Sequence, residues 1–156
     1  MIRDGGASGL FPGQIHEGVA WWIGACLVVV LKTTRLVVAH DGHPTSATFH
    51  ERLCRGAINA QHFACRVTDL RTTTEAELLS VMSVLGNLPG ALIATTTTED
   101  GEIVNIALYD VEGKPLTEHT GLATIRRLIA DDHVPIPVNN RAKGLVVHHA
   151  EREKQA

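Results

Sequence analysis

Apolar residues in this chain come in blocks, and the blocks alternate between two lengths. Val19–Leu31 is a long, nearly continuous apolar run. With Glu17 before it and Lys32 after it, the charges suit the two ends of a helix dipole, which predicts a buried helix over 17–32. Arg35–Ala39, Ala64–Thr68 and Ala91–Thr95 are short, β-branched and bounded by polar residues, as buried strands are. Between them lie two helical patterns. One is capped by Thr45 or Ser46 and runs to about Gln61; the other is capped by Thr73 or Thr74 and runs to about Leu85, with Glu75 and Glu77 in its first turn. Ile103–Val111 reads as a further strand after a turn at Glu99–Gly101. A tight turn at Glu112–Lys114 and a closing helix over Leu116–Asp131 follow. Residues 1–14, with Gly5, Gly6, Gly9, Pro12 and Gly13, predict a loop with room for one short strand.

Strand, helix, strand, helix, strand is the order of a parallel α/β layer with right-handed crossovers. The pattern therefore predicts a three-layer α/β/α domain over 1–131, with a mixed, mainly parallel sheet of about four strands. The Pro- and Asn-containing residues 132–156 read as a C-terminal tail, with His148, His149 and the charged end in solvent. In such sheets ligands bind beyond the carboxyl ends of the strands. The loops His40–Ser46, Asp69–Thr74 and Thr95–Gly101 lie there, all rich in hydroxyls, and two lead into helix N-termini whose free amides attract anions. The same hydroxyls also serve as ordinary caps and turns in any α/β domain.

Composition narrows the function classes. The chain has 156 residues, 44% of them hydrophobic, enough for one domain with its own core. A net charge of −3 with only 4% aromatics argues against a nucleic-acid surface. The apolar run 19–31 is too short to span a bilayer and lies too far from the start for a secretory leader. Cys26, Cys54 and Cys65 are odd in number and fit no zinc or redox spacing, so they read as buried reduced thiols of a cytoplasmic protein. His40, Asp41 and His43 are close enough in sequence to approach one metal, but no HExxH-like spacing supports this, and no metal or other cofactor is expected. A hydrolase elbow G-x-S-x-G is missing.

The order of segments is more specific than any one of them. Gly9-Leu-Phe-Pro-Gly13, Ala20, Ile23-Gly24, the strand and loop Leu36-Val-Val-Ala-His-Asp-Gly-His-Pro-Thr-Ser46, Gly56, Thr72-Thr-Thr74, Gly90-Ala-Leu-Ile93 and Thr120-Gly-Leu-Ala-Thr-Ile-Arg-Arg127 together resemble the first domain of an α-D-phosphohexomutase, the phosphomannomutase/phosphoglucomutase family. The resemblance covers residues 5 to about 130. It implies that the catalytic phosphoserine position falls on Thr96, flanked by Thr95, Thr97 and Thr98. It also implies that the family's two loop arginines fall on His40 and His43, with Asp41 retained. Imidazole is not the permanent charged fork that guanidinium is, and Glu99 would repel a phosphate on Thr96. The family's metal loop, sugar-reading segment and second phosphate-binding segment have no counterpart in these residues. The resemblance thus implies a degenerate, stand-alone domain without mutase turnover, acting in self-association, in binding another protein or in holding a sugar phosphate. The alternative is one component of a split mutase, in which Thr96 accepts the phosphoryl group and Mg²⁺ comes with the partner.

Overall fold

The computed structural model describes residues 2–3, 5–59, 65–130 and 145–148. In chain order the elements are β1 (Ile2–Arg3), β2 (Gly6–Phe11), α1 (Glu17–Leu31), β3 (Arg35–His40), α2 (Pro44–Ile58), β4 (Arg66–Thr72), α3 (Glu75–Val84), β5 (Gly90–Thr98), β6 (Gly101–Tyr109), a one-turn 3₁₀ helix at Glu118–Thr120, α4 (Leu122–Ala130) and β7 (Leu145–His148). The strands form one sheet in the order β1-β2-β6-β5-β3-β4-β7. Buried residues of α1, α2 and α4 share one core with one face of the sheet. Leu78 and Met82 of α3 form a second core with Val37, Ala39 and Tyr109 on the other face. This is the three-layer α/β arrangement.

The sheet is larger than the alternation predicts. It has six strands of at least four residues plus the two-residue β1, rather than four. Nor is it mainly parallel. The pairs β3/β4, β3/β5 and β4/β7 are parallel, whereas β1/β2, β2/β6 and β5/β6 are antiparallel.

Most of the extra strand comes from segments predicted as loop. The glycine-rich start is β2, because the backbones of β2 and β6 meet where a side chain would not fit: a Cβ on Gly6 would lie 1.8 Å from the Ile106 carbonyl oxygen, and its φ is +140°. β4 runs on through Asp69–Thr72 instead of ending at Thr68. A bulge opposite Val38/Ala39 absorbs one residue there, with Arg71 at φ +60° and its N–H donating to Asp69 Oδ1 at 2.7 Å. β5 continues to Thr98 and turns directly into β6, which starts at Gly101 and ends at Tyr109, two residues earlier at each end than the pattern predicts. Four successive threonines are β-branched and suit a pleated strand better than a loop. Leu145–His148, assigned by pattern to the tail, pairs parallel with β4 as the edge strand.

Helix ends differ in ways that matter for the site. α2 is capped by His43, not by Thr45 or Ser46. Pro44 supplies the first helical residue, where its missing N–H is harmless, so the two hydroxyls fall inside the first turn. Its last helical residue is Ile58; the expected extension past Asn59 lies outside the described residues. Lys32 ends α1 as a left-handed residue at φ 51° whose N–H reaches back to Val28 and Val29. Thr74 caps α3 through its hydroxyl, which accepts from Glu77 N–H. The closing helix is broken at Gly121, φ +133°, into the 3₁₀ turn and α4. α1 and α2 pack backbone to backbone: a Cβ on Gly56 would lie 1.9 Å from the Trp21 carbonyl oxygen, and one on Gly24 would lie 2.2 Å from that of Leu53.

Candidate functional site

The carboxyl ends of β3 and β5 place the loop His40–His43 against the β5–β6 hairpin, and Asp41 is the staple between them. Its Oδ2 accepts the Thr95 N–H at 2.9 Å and its Oδ1 the His43 N–H at 3.0 Å. Burial pushes this carboxyl up. The backbone N–H groups of Thr95 and His43, joined by the Ser46 hydroxyl and the His43 charge, outweigh that and hold it below its ordinary value. Both oxygens are therefore committed within the protein.

His43 is committed too. Nδ1 accepts the Thr45 N–H at 3.1 Å as the helix cap, and Nε2 faces Glu102 Oε2 at 3.2 Å. The Thr45 hydroxyl donates to Glu102 Oε1 at 2.6 Å. A carboxylate from β6 thus sits at the N-terminus of α2, where the helix dipole and its open donors favour negative charge. His40 uses Nδ1 to accept the Gly42 N–H at 3.0 Å. Burial and the neighbouring His50 push its pKa down, against the pull of Asp69 and Asp41, so His40 favours the neutral form.

The four threonines do not act as a group. Successive strand residues point to opposite faces. Thr95 faces α2, with its hydroxyl 2.6 Å from that of Ser46. Thr97, across from Glu102, is on that same face. Thr96, across from Ile103, and Thr98 turn to the other face, where the Thr98 hydroxyl donates to the Gly101 carbonyl at 2.9 Å. Thr96 is exposed. The structure thus brings Asp41, His43 and Thr95 together, with His40 in the same loop. It sets Thr96 and Thr98 on the far side of the sheet from them.

Three participants escape the sequence reading. Glu102 lies one residue before the strand as predicted, and nothing local marks it as the partner of a helix cap. His50 and Asp69 form a buried pair, Nε2 to Oδ1 at 2.8 Å, with 7% and 11% of their side chains exposed. The signal for His50 is present but faint: it stands four residues from Ser46 and from Cys54, on the buried stripe of α2. The rings of His40 and His50 meet edge to face with centroids 4.7 Å apart. Cys54 Sγ is 3.8 Å from the same His50 nitrogen that faces Asp69, which is not the relay of a cysteine nucleophile, and burial pushes the Cys54 thiol up. Cys26 and Cys65 are buried with thiols pushed up to about 12. Among the described residues no group of three His, Cys, Asp or Glu side chains is placed to hold a metal, and no helix is long and apolar enough to cross a membrane.

The family model for phosphoglucomutase/phosphomannomutase, alpha/beta/alpha domain I, matches residues 2–133. The chain belongs to that family. A phosphomannomutase of Klebsiella pneumoniae is 27% identical over 131 residues, which cover 84% of this chain and 80% of that sequence. Two solved structures share the fold. One is a phosphoglucomutase/phosphomannomutase family protein of Burkholderia thailandensis, with TM-score 0.68 and 15% identity over 97% of this chain. The other, from Thermus thermophilus and assigned as a phosphomannomutase, has TM-score 0.71 and 16% identity over 99%. This domain I chain spans 34% and 33% of those two proteins, about a third of each.

Proposed function

We propose that this domain I protein works without mutase turnover, as an interaction module. The placement of Thr96 carries the reading. Phosphoryl transfer needs an acceptor hydroxyl and positive charge converging on one phosphate. Here the Thr96 side chain is on the sheet face opposite α2, while the groups standing in for the family's arginines, His40 and His43, spend Nδ1 as acceptors of backbone N–H groups. The Glu102 carboxylate fills the anion-favouring end of α2. Such a pocket favours a protein partner over a sugar phosphate. What supports this is the sheet face that α3 shares: α3 covers β3 and β5, but the same face of β2 and β6 carries two open hollows of about 390 and 240 Å³, with Leu10, Ile103 and Ala107 half-exposed along them. Self-association or another cytoplasmic protein would cover that face.

The test is incubation of the purified chain with a hexose bisphosphate and Mg²⁺, followed by intact mass. We expect no phosphate adduct, and light scattering should show either a dimer or a monomer that a partner can occupy. An adduct that disappears in Thr96→Ala would overturn the reading. It would restore the split-mutase alternative, in which Thr96 is the acceptor and a second chain brings the magnesium site.

A further inference from the structure

On the outer flank of α2, away from the hairpin, a cavity of about 520 Å³ opens between α2, the Trp21 side of α1, the strand β4 and the edge strand β7. That volume is in the range of small-molecule sites. Its wall is mostly apolar, with Trp21, Ile58 and Val146 half-buried in it, and the His50–Asp69 pair also lines it. His50 Nδ1 is shut off from solvent and has no hydrogen-bond partner among the described residues. An unpaired buried polar atom is unfavourable by about 1–3 kcal/mol, so an atom of this kind beside a cavity calls for an explanation.

The charges around the opening decide what fits. Glu51 is paired with Arg55 at 3.1 Å, and Asp69 is held by His50 and by the Arg71 N–H. Both acidic groups are committed. Arg52, exposed at the rim, has no carboxylate partner among the described residues. We propose that this cavity binds a small organic anion with a flat apolar body, which packs against Trp21, Ile58 and Val146 while its charge meets Arg52. The cavity borders the His40–His43 loop through the contact of His50 with the His40 ring, but neither that loop nor Thr96 lines it, so its occupancy is tested independently of Thr96.

The experiment uses two dyes of similar shape on the whole chain: 8-anilinonaphthalene-1-sulfonate, which carries the anion, and N-phenyl-1-naphthylamine, which does not. The sulfonate should bind saturably at one equivalent with a blue-shifted emission. Arg52→Glu should weaken the sulfonate by about tenfold and leave the neutral dye unchanged. Ile58→Trp, which fills the cavity, should reduce both. Val146→Trp fills it from the opposite wall should the first variant not fold. Circular dichroism establishes that each variant used is folded. Absence of sulfonate binding, binding without saturation, equal effects of Arg52→Glu on the two dyes, or indifference to a cavity-filling tryptophan would each overturn the assignment.

Discussion

Replacing Asp41 by asparagine tests whether the carboxylate staple holds the hairpin to the β3–α2 loop. Both oxygens accept backbone N–H groups, from Thr95 at 2.9 Å and from His43 at 3.0 Å. Asparagine keeps one acceptor and must turn its NH₂ toward the other donor. A hydrogen bond to a charged group contributes about 1.5–3 kcal/mol. Asp41 is exposed and one bond survives, so the net loss should be about 1–2 kcal/mol. For a chain of this length that is a fall of roughly 3–8 °C in Tm. The pH dependence has a definite sign. The folded carboxyl is held below its ordinary value, so the native state binds fewer protons than the unfolded one, and the staple's contribution is complete above the unfolded pKa. It shrinks as pH falls through about 4 toward the lower folded value. Urea titrations of both proteins at pH 7 and at stepwise lower pH should show the gap closing, and amide exchange at Thr95 should speed up in the variant. An equal stability at pH 7, or a gap that persists unchanged below pH 4, would refute the staple.

Three further perturbations follow from the same geometry. Gly56→Ala gains about 1 kcal/mol of helix propensity but sets a Cβ 1.9 Å from the Trp21 carbonyl oxygen; the overlap should win, with a net loss of about 1–3 kcal/mol in chemical denaturation, and a stabilised variant would mean that α1 and α2 are not in backbone contact. Glu102→Gln keeps one acceptor for Thr45 and weakens the contact to His43; since both side chains of that pair are about 30% exposed, the loss should be about 0.5–1 kcal/mol, read as a shift in urea midpoint at constant slope. Asp69→Ala leaves buried His50 unpaired and releases the Arg71 N–H at the bulge, a loss of about 3–5 kcal/mol. Adding His50→Leu to it should recover part of that deficit, and a double variant whose loss equals the sum of the two singles would show that the pair is not coupled.

What the chain reveals by pattern is what local physics decides. The apolar run of α1, the core strand β3, the threonine cap of α3 and the turn at Glu112–Lys114 are all legible, because propensity and capping act over a few residues. The segments that read differently are those decided by distant partners. Gly6–Phe11 is a strand because β6 lies beside it. Asp69–Thr72 stays in the sheet because a bulge keeps β4 in register with β3. Leu145–Val147 is an apolar run of only three residues between Gly144 and His148, yet it finds β4. At the site, Asp41, His40 and His43 are visible from the loop they share. Glu102 is not, since its role exists only once β6 has paired with β5 and carried it to the start of α2.

The hairpin also explains why a threonine run reads ambiguously. In a loop, four hydroxyls can turn toward one ligand. In a strand, the period of two divides them, and Thr95 and Thr97 take one face while Thr96 and Thr98 take the other. Which of these holds depends on whether residues 95–98 find a ladder, and here they find all of it: Thr95 to Thr98 pair in register with Val104 to Gly101. The Asp41 carboxylate then fixes the Thr95 amide from the other side. For Thr96 to face His43, the ladder would have to open past Thr95 and the staple would have to release, two events that share one residue. The stability of Asp41's two hydrogen bonds, together with that of the ladder past Thr95, therefore sets how rarely that rearranged state is visited.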